Sequence, residues 1–148
     1  MSRFVLLDTS VLSLVSNPRP SPLILACRQW TETLIQRGNK VFIPEIADYE
    51  LRRELLRAKK TKGITKLDSL CPQFKYLPLT TTAMRQAAVF WAQARQQGQP
   101  TAADNTIDCD MILVAQAATL GAANFIIATT NIRHLTRFVP ADLWQNIS

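Results

Sequence analysis

A chain of 148 residues, 47% of them apolar and 19% charged, is long enough to bury a hydrophobic core and too apolar to be disordered. Its net charge of +6 and pI near 9.7 favour an anionic partner, of which nucleic acid is the commonest. No apolar run reaches the length of a signal sequence or a membrane span, and Cys27, Cys71 and Cys109 show neither paired nor zinc-ligand spacing, so a reducing, cytoplasmic setting with no membrane is expected.

Residues 4–7 form a wholly apolar run, as in a strand covered on both faces. Three prolines make 17–22 a loop, and a helix follows over about 23–37, stopped by Gly38. A second strand is expected at 41–43, with Pro44 as the first-turn proline of a helix reaching about Lys60 and burying Leu51, Leu55 and Leu56. After a break at 62–65 come a short helix and a third strand at 74–77. A helix rich in Ala and Gln spans 80–97, closed by Gly98 and Pro100. Trp30, Phe90 and Trp91 fall in helices and suit the core, with a surface position the alternative for Trp91. A mostly apolar helix at 110–120, a fourth strand at 124–128 and a short edge strand at Leu143–Trp144 complete the pattern. Strands alternating with helices predict an α/β three-layer sandwich: a short, mainly parallel sheet of four to five strands, with residues 1–148 as one domain.

The carboxylates are unevenly placed. Asp8 ends the first strand, Glu50 lies early in the helix after the second, and Asp110 begins the helix before the fourth. Asn131 comes just after that fourth strand. In a parallel sheet all four positions gather at the strands' carboxyl edge, where open α/β folds bind ligands. Carboxylates so gathered raise one another's pKa unless a cation neutralises them, and Mg²⁺ or Mn²⁺ prefers oxygen ligands. With His134 as the one histidine, a histidine-pair nuclease or a Ser/His/Asp triad is disfavoured, and ion-assisted hydrolysis of a phosphodiester is the better fit. Asp104 and Asp108 equally suit helix capping, whereas an aspartate closing a buried strand needs a partner. Glu45 and Asp48 read as helix-start and surface residues.

The segments V-L-L-D-T-S-V-L at 5–12, Y-E-L-R-R-E-L at 49–55, D-M-I-L-V-A-Q-A at 110–117 and A-T-T-N-I-R-H-L at 128–135 resemble, in order, the four motifs of PIN-domain nucleases, and the whole is similar to VapC-type toxins of bacterial toxin–antitoxin systems. The resemblance implies that Asp8, Glu50 and Asp110 hold the metal and that Asp108, beside Asp110, adds a ligand or orients a water. It further implies that Asn131 binds the ion weakly or positions a water, with Ser10 and Thr129 orienting Asp8. A neutral amide at Asn131 holds a second cation less well, so one firmly bound ion is expected, a second arriving with substrate. The same resemblance implies an endoribonuclease leaving 3′-hydroxyl and 5′-phosphate ends, a small antitoxin partner and a homodimer.

Arg52, Arg53, Arg57, Lys59, Lys60, Lys62 and Lys66 put seven of seventeen basic residues in one stretch, a candidate RNA-contacting face or a solvated helix side. Arg133 and His134, beside the expected site, are candidates for contacting a phosphate, although His134 equally suits a loop residue bonded to a backbone carbonyl. Two rivals remain from the sequence: a PIN fold that binds RNA or protein without cutting, and a nuclease that cuts DNA.

Overall fold

A computed structural model describes residues 2–97, 104–133 and 135–148, with the backbone alone for 104–107. The chain runs β1 (Phe4–Leu7), α1 (Thr9–Ser16), α2 (Pro22–Gln36), β2 (Lys40–Pro44), α3 (Glu45–Arg57), α4 (Thr61–Leu70), β3 (Lys75–Leu77), α5 (Thr81–Gln96), α6 (Asp104–Ala118), β4 (Phe125–Thr129) and β5 (Ala141–Leu143). The five strands form one sheet in the order β3-β2-β1-β4-β5, every neighbouring pair parallel. Val5 sits between Val41 and Ile126 in register, so the first apolar run becomes the central strand.

Strand alternation divides the interior in two. Val5, Leu7, Val41, Ile43 and Ala128 face α1, α2 and α4, where they meet Val11, Leu12, Cys27, Leu34 and Leu67. Leu6, Phe42 and Ile127 face the opposite way, onto Met111, Leu113, Val114 and Ala117 of α6. Helix α5 packs along α6. A parallel sheet covered by helices on both faces is the expected three-layer α/β arrangement.

Several boundaries differ from the sequence reading. Helix α1 is an addition that its β-branched and serine-rich sequence does not announce; it forms because Val11, Leu12 and Val15 are buried and Asp8 caps it. Pro44 ends β2 and is the N-cap of α3 rather than its first helical residue. The break after α3 falls at residues 58–60, not at 62–65. There Lys60 N–H reaches Leu55 O (2.9 Å) and Lys59 N–H reaches Leu56 O (3.1 Å), closing α3 with Lys59 in the left-handed region at φ 58°. The end of α2 uses the same pair of bonds with Gly38 at φ 88°. Leu56, expected on the buried side, is exposed, while Leu51 is buried and Leu55 partly so. Trp91 is also partly exposed. Trp144 is buried next to β5 rather than within it. Asp48 is not a surface residue: it accepts from the Tyr76 hydroxyl (2.7 Å) and pairs with Arg52 (3.0 Å), tying α3 to β3. The three cysteines are free. Gly98, Pro100 and His134, assigned roles from sequence, lie outside the described residues.

Candidate active site

The chain leaves β1 at the point where the sheet's order reverses: β2 and β3 lie to one side of β1, β4 and β5 to the other. That topological switch opens a crevice at the carboxyl edge. Asp8 stands in it. Its N–H donates to Ala128 O (3.1 Å), and its side chain caps α1, Oδ1 accepting from the Val11 amide (2.9 Å) and the Ser10 hydroxyl (2.6 Å). The Thr129 hydroxyl lies close to this carboxylate and favours its charged form. Capping, which the sequence made the less apt role for Asp8, is thus one of its roles. Burial pushes the Asp8 pKa up, against the opposing influence of Ser10, Thr129 and the Val11 amide.

Glu50 is on α3, one and a half turns from its start, and Oε1 accepts a short hydrogen bond from the Thr9 hydroxyl. Asp110 is on α6. It does not begin that helix as expected, because α6 starts at Asp104; the carboxylate lies nearly two turns in and is buried. Burial raises the Asp110 pKa to about 6, opposed by the Arg133 guanidinium and reinforced by Glu50 and Asp8. Three carboxylates from three separate elements therefore line one cleft of about 420 Å³, with Glu54 at its rim.

Arg133 is the single guanidinium among the described residues of that lining, its Nη2 3.3 Å from Asp110 Oδ1. It adopts a left-handed backbone, φ 46°, which costs a non-glycine residue about 1–2 kcal/mol and sets the side chain over the carboxylates. Cys109 also lines the cleft. Burial and the nearby Glu50 charge push its thiol up to about 11, so it stays protonated near neutrality. Among the described residues the available ligands are then all oxygen.

Such a donor set suits a hard divalent ion. Among the described residues, no three His, Cys, Asp or Glu side chains are gathered closely enough to form a finished ion site. The residues fit the ion by chemistry and by convergence on one cleft, with the Arg133 guanidinium as counter-charge to Asp110.

Asp108 is not beside Asp110 in space. Residues two apart on a helix point about 200° from one another, and Asp108 is exposed in a separate hollow with Met84, Trp91 and Ile112. Asn131 is exposed and absent from the cleft lining; its backbone N–H and carbonyl both bond the Thr129 hydroxyl (3.1 and 3.0 Å). Ser10 links the two loops, donating to Asp8 and accepting from the Thr130 amide (3.2 Å). Arg53 is near Glu50 (3.9 Å) and stacks on Tyr49. Arg52 is paired with Asp48 and Asp68, and Arg57 with Glu54.

Two residues escaped the sequence reading. Thr9, next to Asp8, holds Glu50; its position within D-T-S was the available signal. Gln116, buried on α6, accepts from the Ile46 amide at the start of α3 and donates to Leu77 O. Only its apolar helical surroundings marked it.

A family model described as PIN domain matches residues 5–137. No curated protein matches the chain. Similar solved structures include VapBC2 of Rickettsia felis bound to a DNA fragment from its promoter, with 17% identity and TM-score 0.69 over 95% of this chain and 98% of that one. VapBC-1 of nontypeable Haemophilus influenzae is 15% identical with TM-score 0.70, and FitAcB of Neisseria gonorrhoeae 22% identical with TM-score 0.70, each covering 97% of this chain and 99% of the other. At these identities the likeness is one of fold.

Proposed function

The chain belongs to the PIN-domain family, and we propose that it is a Mg²⁺- or Mn²⁺-dependent endoribonuclease, the toxin of a toxin–antitoxin pair. The observation that carries this reading is the convergence of Asp8, Glu50 and Asp110, from three elements, on one cleft at the carboxyl edge of the sheet. Its motifs resemble VapC-type toxins, and VapBC assemblies share its fold. Those similarities support residues 1–148 acting as one cytoplasmic nuclease domain, a homodimer held in check by a small antitoxin. Among the described residues no helix is long and apolar enough to cross a membrane.

Asp8, Glu50 and Asp110 would hold the ion. Bound there, a divalent cation offsets the carboxylates' repulsion, lowers the pKa of a coordinated water and stabilises charge at phosphorus. Ser10 and the Val11 amide fix the Asp8 carboxylate, and Thr9 fixes Glu50, so both arrive oriented. Arg133, at the rim, is positioned to donate to a phosphate oxygen as it leaves Asp110. Ile46 and Leu113 supply the apolar wall that limits water. Asp108, placed outside the cleft, has no part in this scheme, and Asn131 acts through the Thr129 loop.

The test is incubation of matched single-stranded RNA and DNA with the protein in Mg²⁺ or Mn²⁺ and in EDTA. Cutting of RNA alone, lost in EDTA, is the expected result; equal cutting of DNA would assign the rival substrate. One observation favours a second reading, a PIN fold that binds without cutting: Arg133 already neutralises Asp110. Undetectable Mn²⁺ binding by calorimetry would select it.

A further inference from the structure

A second hollow, of about 460 Å³, adjoins the cleft, Ser13 and Leu51 forming part of the wall of both. The two have opposite charge. Among the described residues the cleft is lined by four carboxylates and one guanidinium. The second groove is lined by Arg19, Lys59, Lys60 and Lys62 and, among the described residues, by no carboxylate. These four cations come from the loop after α1, the end of α3 and the first turn of α4. Among the described residues no ion pair engages any of them. Arg52 and Arg57, in the same basic stretch, are already compensated by Asp48, Asp68 and Glu54.

We propose that this groove is a phosphate-binding subsite for single-stranded RNA, holding the sugar–phosphate backbone next to the phosphodiester in the cleft. It rests on the nuclease reading and specifies where the substrate is gripped. The cleft by itself repels a polyanion, and charges act over only about 10 Å at 0.1 M salt. The attraction has to be local, and the groove supplies the uncompensated local positive charge. Its shared wall with the cleft makes one strand able to occupy both. Of the basic stretch, Lys59, Lys60 and Lys62 are thereby assigned to RNA and joined by Arg19, forty residues earlier in sequence.

The experiment is RNA binding in EDTA, where cutting does not intervene, using a labelled mixed-sequence single strand across a salt series. The proteins are the wild type, Lys60→Ala/Lys62→Ala and Arg57→Ala. All three side chains are exposed, so the folds are retained. Each lost phosphate contact lowers the salt slope by about 0.7, or roughly fivefold in affinity at 0.1 M salt. The double variant is therefore expected to bind roughly 25-fold more weakly with a slope reduced by about 1.4, and Arg57→Ala as wild type. Unchanged binding by the double variant, equal weakening by Arg57→Ala, or no RNA binding by the wild type overturns the proposal. The first of these is also the outcome if the groove serves an acidic protein segment. Metal-dependent cleavage by the wild type decides the nuclease reading separately. A cutting enzyme with unaltered binding in the double variant keeps the nuclease and loses the groove, and binding through the groove without cutting does the reverse.

Discussion

Gln116 and Ile46 join the two helices that carry Asp110 and Glu50: the Gln116 carboxamide oxygen accepts the Ile46 N–H at 3.2 Å. That N–H belongs to the first turn of α3, which has no side-chain N-cap because Pro44 precedes it. The amide nitrogen of Gln116 simultaneously donates to Leu77 O at 2.9 Å. One buried side chain thus fixes the spacing of two of the three carboxylates. Gln116→Ala leaves a buried donor and acceptor unpaired, and is expected to cost roughly 3 kcal/mol in urea unfolding. It is also expected to weaken Mn²⁺ binding. Unaltered stability would show that water replaces the amide.

The pH dependence follows from Asp110. Its folded pKa of about 6 is above its ordinary value of 3.8, chiefly through burial. A raised carboxylate pKa means the folded state binds the proton more tightly, so the contribution to stability is complete below the ordinary value and lost as pH rises through about 6. Asp8 shifts the same way. Melting of the metal-free protein is therefore expected at lower temperature at pH 7 than this site alone would give at pH 4. Asp110→Asn should flatten part of that slope. The same proton competes with the ion, so Mn²⁺ affinity should fall as pH drops below about 6. An Asp110→Asn slope identical to that of wild type would count against the buried carboxylate.

Arg133 has two opposed effects. It offsets the Asp110 charge, which weakens the cleft's attraction for a cation, and it stands where it would donate to a substrate phosphate. Arg133→Ala is expected to raise Mn²⁺ affinity severalfold in calorimetry. It should lower kcat/KM for RNA on the order of tenfold, through loss of one charge-assisted hydrogen bond. Weaker Mn²⁺ binding in the variant would instead make Arg133 an organiser of the carboxylates.

Lys59 ends α3 in a conformation that Gly38 adopts at the end of α2. Lys59→Gly removes the Cβ clash and is expected to stabilise the fold by about 1 kcal/mol. RNA affinity should fall roughly fivefold at 0.1 M salt. Stabilisation without loss of affinity would take Lys59 out of the groove.

The sequence was most informative where chemistry conflicts with position. An ionisable side chain ending the buried run Phe4–Leu7 demands partners, and Ser10 and Val11 supply them. Strand–helix alternation then sufficed to bring Glu50 and Asp110 to the same edge. Proximity in sequence misled at Asp108, because the helix begins at Asp104 and turns neighbouring aspartates to different sides. Helix α1 was hidden because packing, not propensity, stabilises it. The basic groove was half legible: Lys59 to Lys62 are contiguous, but only the fold sets Arg19 across from them and removes Arg52 and Arg57 by pairing. Gln116 was half marked, since a glutamine in an apolar helix announces burial without naming its partners.

The measurement that decides most is cleavage of a panel of labelled RNAs in Mn²⁺ by wild type and Asp8→Asn, with melting curves of both. The substitution is nearly isosteric and removes a buried charge, so the variant is expected to melt no lower than wild type while cleavage falls by at least about 1,000-fold. Asp8→Asn that folds and cuts as well as wild type would contradict a catalytic site built on Asp8, Glu50 and Asp110.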